Sequence, residues 1–190
     1  MTKAQIVNFM GAPGVGKTVL AKKLSAQQPE YRFFEREVLL DILFEQERDT
    51  PRYNALAGYI TKFNFDIATE CAKQGISVVV EAPMKPAIQG KPASFIDAAL
   101  AAAAKDGFGV SLIYCVAPAE TVLAYLKQRG APRDEPKYDQ INTETGWPWF
   151  LKTFIDVPGP IQYEHLRVDT TRPVDENLGR IVEYLHRQNT

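Results

Sequence analysis

Gly11-Ala12-Pro13-Gly14-Val15-Gly16-Lys17-Thr18 satisfies G-x-x-x-x-G-K-[ST], with the apolar run Ile6-Val7-Asn8-Phe9-Met10 before it and a helical pattern after it. Glycines let a backbone curl so that several N–H groups face one anion, and the positive end of the following helix adds to them. Such a loop cradles a nucleoside triphosphate. Lys17 would reach the β- and γ-phosphates, and Thr18 would offer its hydroxyl to Mg²⁺, a hard cation that takes few protein ligands when phosphates supply the others. A glycine-rich turn with an incidental lysine would meet the four fixed positions by chance in a chain of this length with a probability on the order of 1%. The strand and helix around the loop weigh further against that reading.

Outward from the loop, β-rich runs alternate with helical patterns. Residues 5–10, 31–36, 76–82, 110–116 and 165–169 are expected strands, and 17–27, 38–48, 53–74, 93–105, 119–129 and 176–187 expected helices, the last capped at Asp175. Ile76-Ser77-Val78-Val79-Val80 and Val110-Ser111-Leu112-Ile113-Tyr114-Cys115-Val116 are nearly unbroken apolar runs. Parallel strands with helices on both faces look like this, whereas half-exposed antiparallel strands alternate. About five parallel strands are expected. The stretch 130–160, rich in Pro, Gly and charge, reads as an excursion from one core.

The chain has 190 residues, enough for one domain and short for two. A hydrophobic share of 45% with 24% charged residues excludes disorder. The formal net charge of −1 provides no global field to draw the protein to nucleic acid or an anionic membrane, so neither is expected as a partner. Cys71 and Cys115 both lie in apolar segments, which suits core thiols in a reducing compartment. No stretch reaches the length of a membrane span, and the amino terminus does not read as a signal peptide. A cytoplasmic location is the expectation.

The guanine-reading N-K-x-D is missing, which disfavours a GTPase; Asp156-Val157-Pro158-Gly159 reads as a turn. Glu81 ends the third expected strand, where a carboxylate would lie near the metal and the γ-phosphate. Alternatively it caps the Pro83 turn or pairs with Lys85. Glu37 opens the second expected helix facing the crevice and is the first candidate for a base that takes a proton from an acceptor hydroxyl. Its alternative role is to complement the helix dipole. Asp41, one helical turn on, and Glu35, expected on the other side of the strand, are weaker candidates. Arg129 and Arg133 would fold over the triphosphate, or else close a helix with favourable cations before a solvated loop. Trp147-Pro148-Trp149-Phe150 reads as core or lid packing.

With Gly11 to Thr18, Val78-Val79-Val80-Glu81, Leu126-Lys127-Gln128-Arg129 and Arg133-Asp134 in these positions, the chain resembles the small P-loop kinases, which include gluconate kinase, shikimate kinase, chloramphenicol phosphotransferase and zeta-toxin-like kinases. His165-Leu166-Arg167-Val168-Asp169 followed by Thr170-Thr171-Arg172-Pro173-Val174 resembles their adenine-side loop. The resemblance implies a three-layer α/β sandwich with a parallel sheet in the order 2-3-1-4-5. It also implies a single domain over 1–190 with a lid at about 129–160, and phosphoryl transfer from ATP with Mg²⁺ to a small-molecule hydroxyl or phosphate. Many members carry Asp where this chain has Glu37 and Glu81, and no acceptor-specific pattern matches one member. A nucleotide-sensing protein without transfer activity and a polynucleotide 5′-hydroxyl kinase are the rival readings.

Overall fold

The computed structural model describes residues 3–44, 51–130, 144–157 and 159–188. Five strands form one parallel sheet: β1 (Gln5–Met10), β2 (Tyr31–Phe34), β3 (Ser77–Glu81), β4 (Gly109–Val116) and β5 (Leu166–Asp169). Their order is β2-β3-β1-β4-β5, which is the 2-3-1-4-5 order expected. β1 is buried along its whole length, as the central strand of a covered sheet must be. Helices α1 (Lys17–Gln27) and α8 (Val174–Gln188) pack on one face, and α3 (Pro51–Lys73) and α5 (Ser94–Asp106) on the other. The remaining helices are α2 (Arg36–Phe44), α4 (Lys85–Ile88), α6 (Ala119–Gly130) and α7 (Gly146–Phe150), which runs into a π-helical turn (Leu151–Ile155).

Periodicity accounts for the burial of the helices. On α5, Ile96, Ala99 and Ala103 are buried at i, i+3 and i+7, and small alanines let the helix lie close to the sheet. On α8, Leu178, Ile181 and Leu185 repeat the spacing. Acids Asp175 and Glu176 open α8 and His186 and Arg187 close it, matching the helix dipole. A polar knot under the sheet ties two elements, β2 and α8, to β1: Tyr31 Oη donates to Gln5 Oε1 at 2.6 Å, and Gln5 Nε2 donates to the Leu185 carbonyl at 3.2 Å.

Some boundaries differ from those expected. α8 starts at Val174, because Pro173 has a φ suited to a helix start and its carbonyl already accepts from Asn177 N at 3.1 Å. Asp175 therefore lies in the first turn and is not the cap. β2 ends at Phe34, two residues early, and α2 begins at Arg36 rather than at residue 38. Arg36 is drawn into the helix by its bonds to α3, where Nε donates to Thr61 Oγ1 at 2.9 Å and Nη2 to the Ala57 carbonyl at 3.4 Å. Residues 45–48 of the expected second helix lie outside the described residues. The short α4 was not anticipated. It follows Met84, whose φ of 54 is the only positive value at a non-glycine residue among those described.

Candidate active site

β1 sits between β3 and β4, so the chain leaving its carboxyl end emerges where connections diverge to the two halves of the sheet, and a crevice opens there. Gly11 makes the turn at closest range. Its φ is +139, and a Cβ there would fall 2.4 Å from the Cys115 carbonyl oxygen on β4. Gly16, with φ +92, brings the chain into α1, and no side chain caps that helix. The first-turn N–H groups of α1, which have no carbonyl one turn back within the helix, thus stand at the cleft. Leu126 of α6 covers the loop from above, since a Cβ on Gly14 would lie 2.6 Å from its Cδ2.

A cleft of about 910 Å³ runs along the carboxyl edge of the sheet. Pro13, Gly14, Gly16, Lys17 and Thr18 line it, whereas Ala12 and Val15 point into the core and carry the loop from below. The Ala12 carbonyl accepts from Lys17 Nζ at 2.8 Å, which folds the lysine back over the loop. Lys17 is only 4% exposed, and its Nζ lies 3.8 Å from Glu81 Oε1. The other oxygen of that carboxylate, Oε2, accepts from Thr18 Oγ1 at 2.7 Å. The strand register produces this: Glu81 pairs with Phe9, two residues before the loop, and so shares its face of the sheet. Glu81 does not pair with Lys85, whose Nζ instead lies 5.8 Å from the centroid of the Trp149 ring.

At the other end, Glu35, Arg36, Glu37, Val38 and Asp41 line the cleft together with Lys22 of α1. Glu35 does not turn away, as strand alternation implied, because it lies past the end of β2; its Oε2 accepts from Lys22 Nζ at 2.9 Å. Arg36 Nη1 donates to Glu37 Oε1 at 2.9 Å. Arg129 lies in the last turn of α6, with its side chain outside what the structure describes, and Arg133 is outside the described residues altogether. Trp147 and Phe150 stack at 5.3 Å and pack on the core, Phe150 buried, whereas Trp149 is exposed.

Sequence reasoning did not single out Lys22, Tyr125, Gln128 or Asn177, yet all four line the cleft. Helical spacing carried a signal for two of them: Lys22 is four residues after Thr18, and Tyr125 is four before Arg129. Asn177 had none. Its Nδ2 donates to the Asp169 carbonyl at 2.8 Å and the Arg172 carbonyl at 3.4 Å, holding the loop between β5 and α8. Thr170 of that loop lies against Gly16 and closes the cleft on this side.

The donor set suits a triphosphate with Mg²⁺. A hydroxyl and a carboxylate are hard oxygen ligands, an ammonium lies beside them, and the uncapped start of α1 favours anions.

A strand, a glycine-rich loop, a helix opening with Lys and Thr, and a carboxylate on the adjacent strand define a nucleotide-binding P-loop fold. The chain belongs to the AAA domain family, whose model matches residues 6–145. Solved structures place its fold among the small P-loop kinases. A Chloroflexus aurantiacus protein proposed to be a kinase superposes with a TM-score of 0.75 at 16% identity, over 99% of this chain and 100% of that one. The APS kinase of Mycobacterium tuberculosis, in complex with AMPPNP and APS, gives 0.62 at 20% identity over 98% and 99%. A gluconokinase from Sinorhizobium meliloti gives 0.58 at 17% identity over 100% and 99%. No curated protein sequence matches the chain. Among the described residues, no helix is long and apolar enough to cross a membrane.

Proposed function

We propose that the chain is an ATP- and Mg²⁺-dependent kinase that phosphorylates a hydroxyl or phosphate of a small molecule, as one domain with a lid at about 129–160. The observation that carries this reading is the contact of Thr18 Oγ1 with Glu81 Oε2 at 2.7 Å beside Lys17. It brings together the metal-side hydroxyl, the strand-end carboxylate and the phosphate-binding ammonium. The APS kinase neighbour, in complex with AMPPNP and APS, supports a nucleotide in this fold.

Bound ATP supplies the γ-phosphoryl group, and Mg²⁺ offsets charge on the oxygens around it. The chain's own residues position and neutralise. Lys17 exchanges its bond to the Ala12 carbonyl for phosphate oxygens, and the backbone from Gly11 to Thr18 holds the phosphates. Thr18 and Glu81 hold the metal, directly or through its waters. Arg129 and Arg133 bring donors to the transferring group from the lid side. Glu37 accepts the proton of an acceptor hydroxyl, with Arg36 keeping its carboxylate oriented. A closed site excludes water, which would otherwise compete as acceptor.

The test is ADP release by the purified protein with Mg²⁺ across a panel of hydroxyl compounds, with Lys17→Ala as control. Acceptor-stimulated release should fall by about 10²-fold or more in the variant, in line with loss of one transition-state charge contact. Failure of the wild type to bind ATP would end this reading.

A further inference from the structure

Six of the eleven large apolar side chains exposed among the described residues lie on α2 and α3: Val38, Ile42, Leu43, Leu56, Tyr59 and Phe63. Such side chains are ordinary when scattered singly, so their gathering on one helix pair calls for a cause. The two helices pack through Leu40 and Ile60. They run antiparallel, since Arg36 at the start of α2 reaches Ala57 and Thr61 of α3 while only residues 45–50 join the other ends. On α3, Arg52, Leu56, Tyr59, Phe63, Asp66 and Glu70 are all exposed. Their alternating spacing of four and three residues puts them on one stripe of the helix, about 27 Å long. The stripe is basic at one end, acidic at the other and apolar between, where Tyr59 is 71% and Phe63 51% exposed. Leu43 of α2 flanks it, three residues past the buried Leu40.

A four-and-three alternation is the pattern of a helix that packs lengthwise on another helix, yet among the described residues none covers this stripe. The connection Glu45-Gln46-Glu47-Arg48-Asp49-Thr50 brings no apolar side chain to it. A second copy of α3 does fit. Laid antiparallel about a two-fold axis beside Thr61, it sets Tyr59 against the partner's Phe63 and Arg52 against the partner's Glu70, each contact made twice. Leu56 meets the partner's Asp66, whose charge stays with Lys62 of its own helix. Because the ends of the stripe are opposite in charge, an antiparallel copy is attracted and a parallel one repelled. Leu43, Leu56, Tyr59 and Phe63 expose roughly 400 Å², given that a whole Tyr or Phe side chain presents about 150–250 Å². Doubled by symmetry and widened by its charged rim, the contact covers about 1,000 Å², the size at which specific interfaces begin. We infer that the chain forms a two-fold dimer in which α3 packs antiparallel on the α3 of a second copy. The inference goes beyond the kinase reading and does not depend on it.

Sedimentation equilibrium of the full chain tests this by mass, 21.3 kDa for one copy. At about 100 μM the wild type should be mostly dimeric and dissociate on dilution with a Kd in the micromolar range, as suits a small interface. Phe63→Lys should raise Kd about a hundredfold or more, because a two-fold interface loses the contact twice. Arg52→Glu and Glu70→Arg should each weaken the dimer about tenfold, and the chain carrying both changes should recover the wild-type Kd to within about threefold. An equimolar mixture of the two single variants should associate better than either alone. Ile76→Ser, at an exposed apolar position just before β3, should leave Kd unchanged. Far-UV circular dichroism spectra of all variants should coincide, which shows that they are folded. A wild type of monomer mass at the highest concentration overturns the inference, as does a dimer that survives Phe63→Lys. Failure of the double charge reversal to restore association overturns the antiparallel pairing. A monomer that instead binds phospholipid vesicles through Tyr59 overturns the dimer in favour of a membrane surface.

Discussion

At Gly11 the backbone has φ +139 and the position of a Cβ is taken by the Cys115 carbonyl oxygen, 2.4 Å away. That oxygen belongs to the main chain of β4, which pairs with β1 up to Met10–Tyr114 and with β5 at Cys115–Val168, and cannot swing aside as a side chain would. Gly11→Ala therefore adds an unfavourable φ and a steric conflict. The expected cost is about 1–3 kcal/mol for the strained backbone alone. For a chain of this size that lowers Tm by roughly 2–4 °C per kcal/mol, read in a thermal melt. An unchanged melting temperature would mean that the chain just past the last β1–β4 pair, Met10–Tyr114, can move away from β4. Lys17 differs in kind, since it contributes through what it binds. Buried at 4% exposure and held by Ala12 and Glu81, it is a charge kept in place before any ligand arrives. A group already oriented loses less freedom on binding than a mobile surface lysine would.

Among the elements, the loop between β5 and α8 depends on one side chain. Asn177, at 1% exposure, donates to the carbonyls of Asp169 and Arg172 and so fixes the chain that carries Thr170 into the cleft. Asn177→Ala leaves both carbonyls without that donor, at a cost of about 1–3 kcal/mol. Asn177→Asp should be worse despite its similar shape, because it faces two carbonyl oxygens with an acceptor. Thermal melts and nucleotide titrations of both variants check this: Tm should fall in the order wild type, Ala, Asp, with weaker nucleotide binding in step. The reverse order would remove the donor role. The same element shows what could be read from the sequence. The strand and helix around Thr170 were legible from their periods, because Val168, Leu178, Ile181 and Leu185 answer to a local pattern of burial. Asn177 was not, since its partners lie five and eight residues back and its task is set by a loop geometry that no period encodes. Likewise the phosphate loop and Glu81 were legible, one by its motif and the other by its place at a strand end. The contacts of Arg36 with Thr61 and Ala57 depend on how α2 meets α3, and only tertiary packing decides that. The early end of β2 at Phe34 and the inclusion of Glu35 in the cleft follow from the same contact.

For the whole molecule, burial of phenols and a thiol sets the response of stability to alkaline pH. Burial pushes Tyr31 from its ordinary 10.0 up to about 12, aided by the nearby charge of Glu30. Cys115 rises from 9.0 to about 12, mainly by desolvation, against which Lys17 works and to which Glu81 adds. Tyr114 and Tyr184 are raised by burial as well. In each case the native state holds a proton that the unfolded chain releases at lower pH. The unfolded state then binds fewer protons, so stability falls with rising pH. The contribution is complete well below pH 9.0, the value at which the unfolded thiol is half ionised, and is lost progressively as pH climbs through the native values near 12. Urea midpoints measured from pH 8 to pH 11.5 should be level at first and then decline steadily above about pH 9. Tyr31→Phe removes one of the titrating groups and also the donor to Gln5 Oε1. That variant should start about 1 kcal/mol less stable at pH 8, the usual net worth of a hydrogen bond, yet decline less steeply between pH 10 and 12. The two curves should therefore converge as pH rises. Parallel curves would mean that the Tyr31 phenol ionises as readily in the folded protein as in the unfolded chain, and that the knot of Gln5, Tyr31 and the Leu185 carbonyl is open to water.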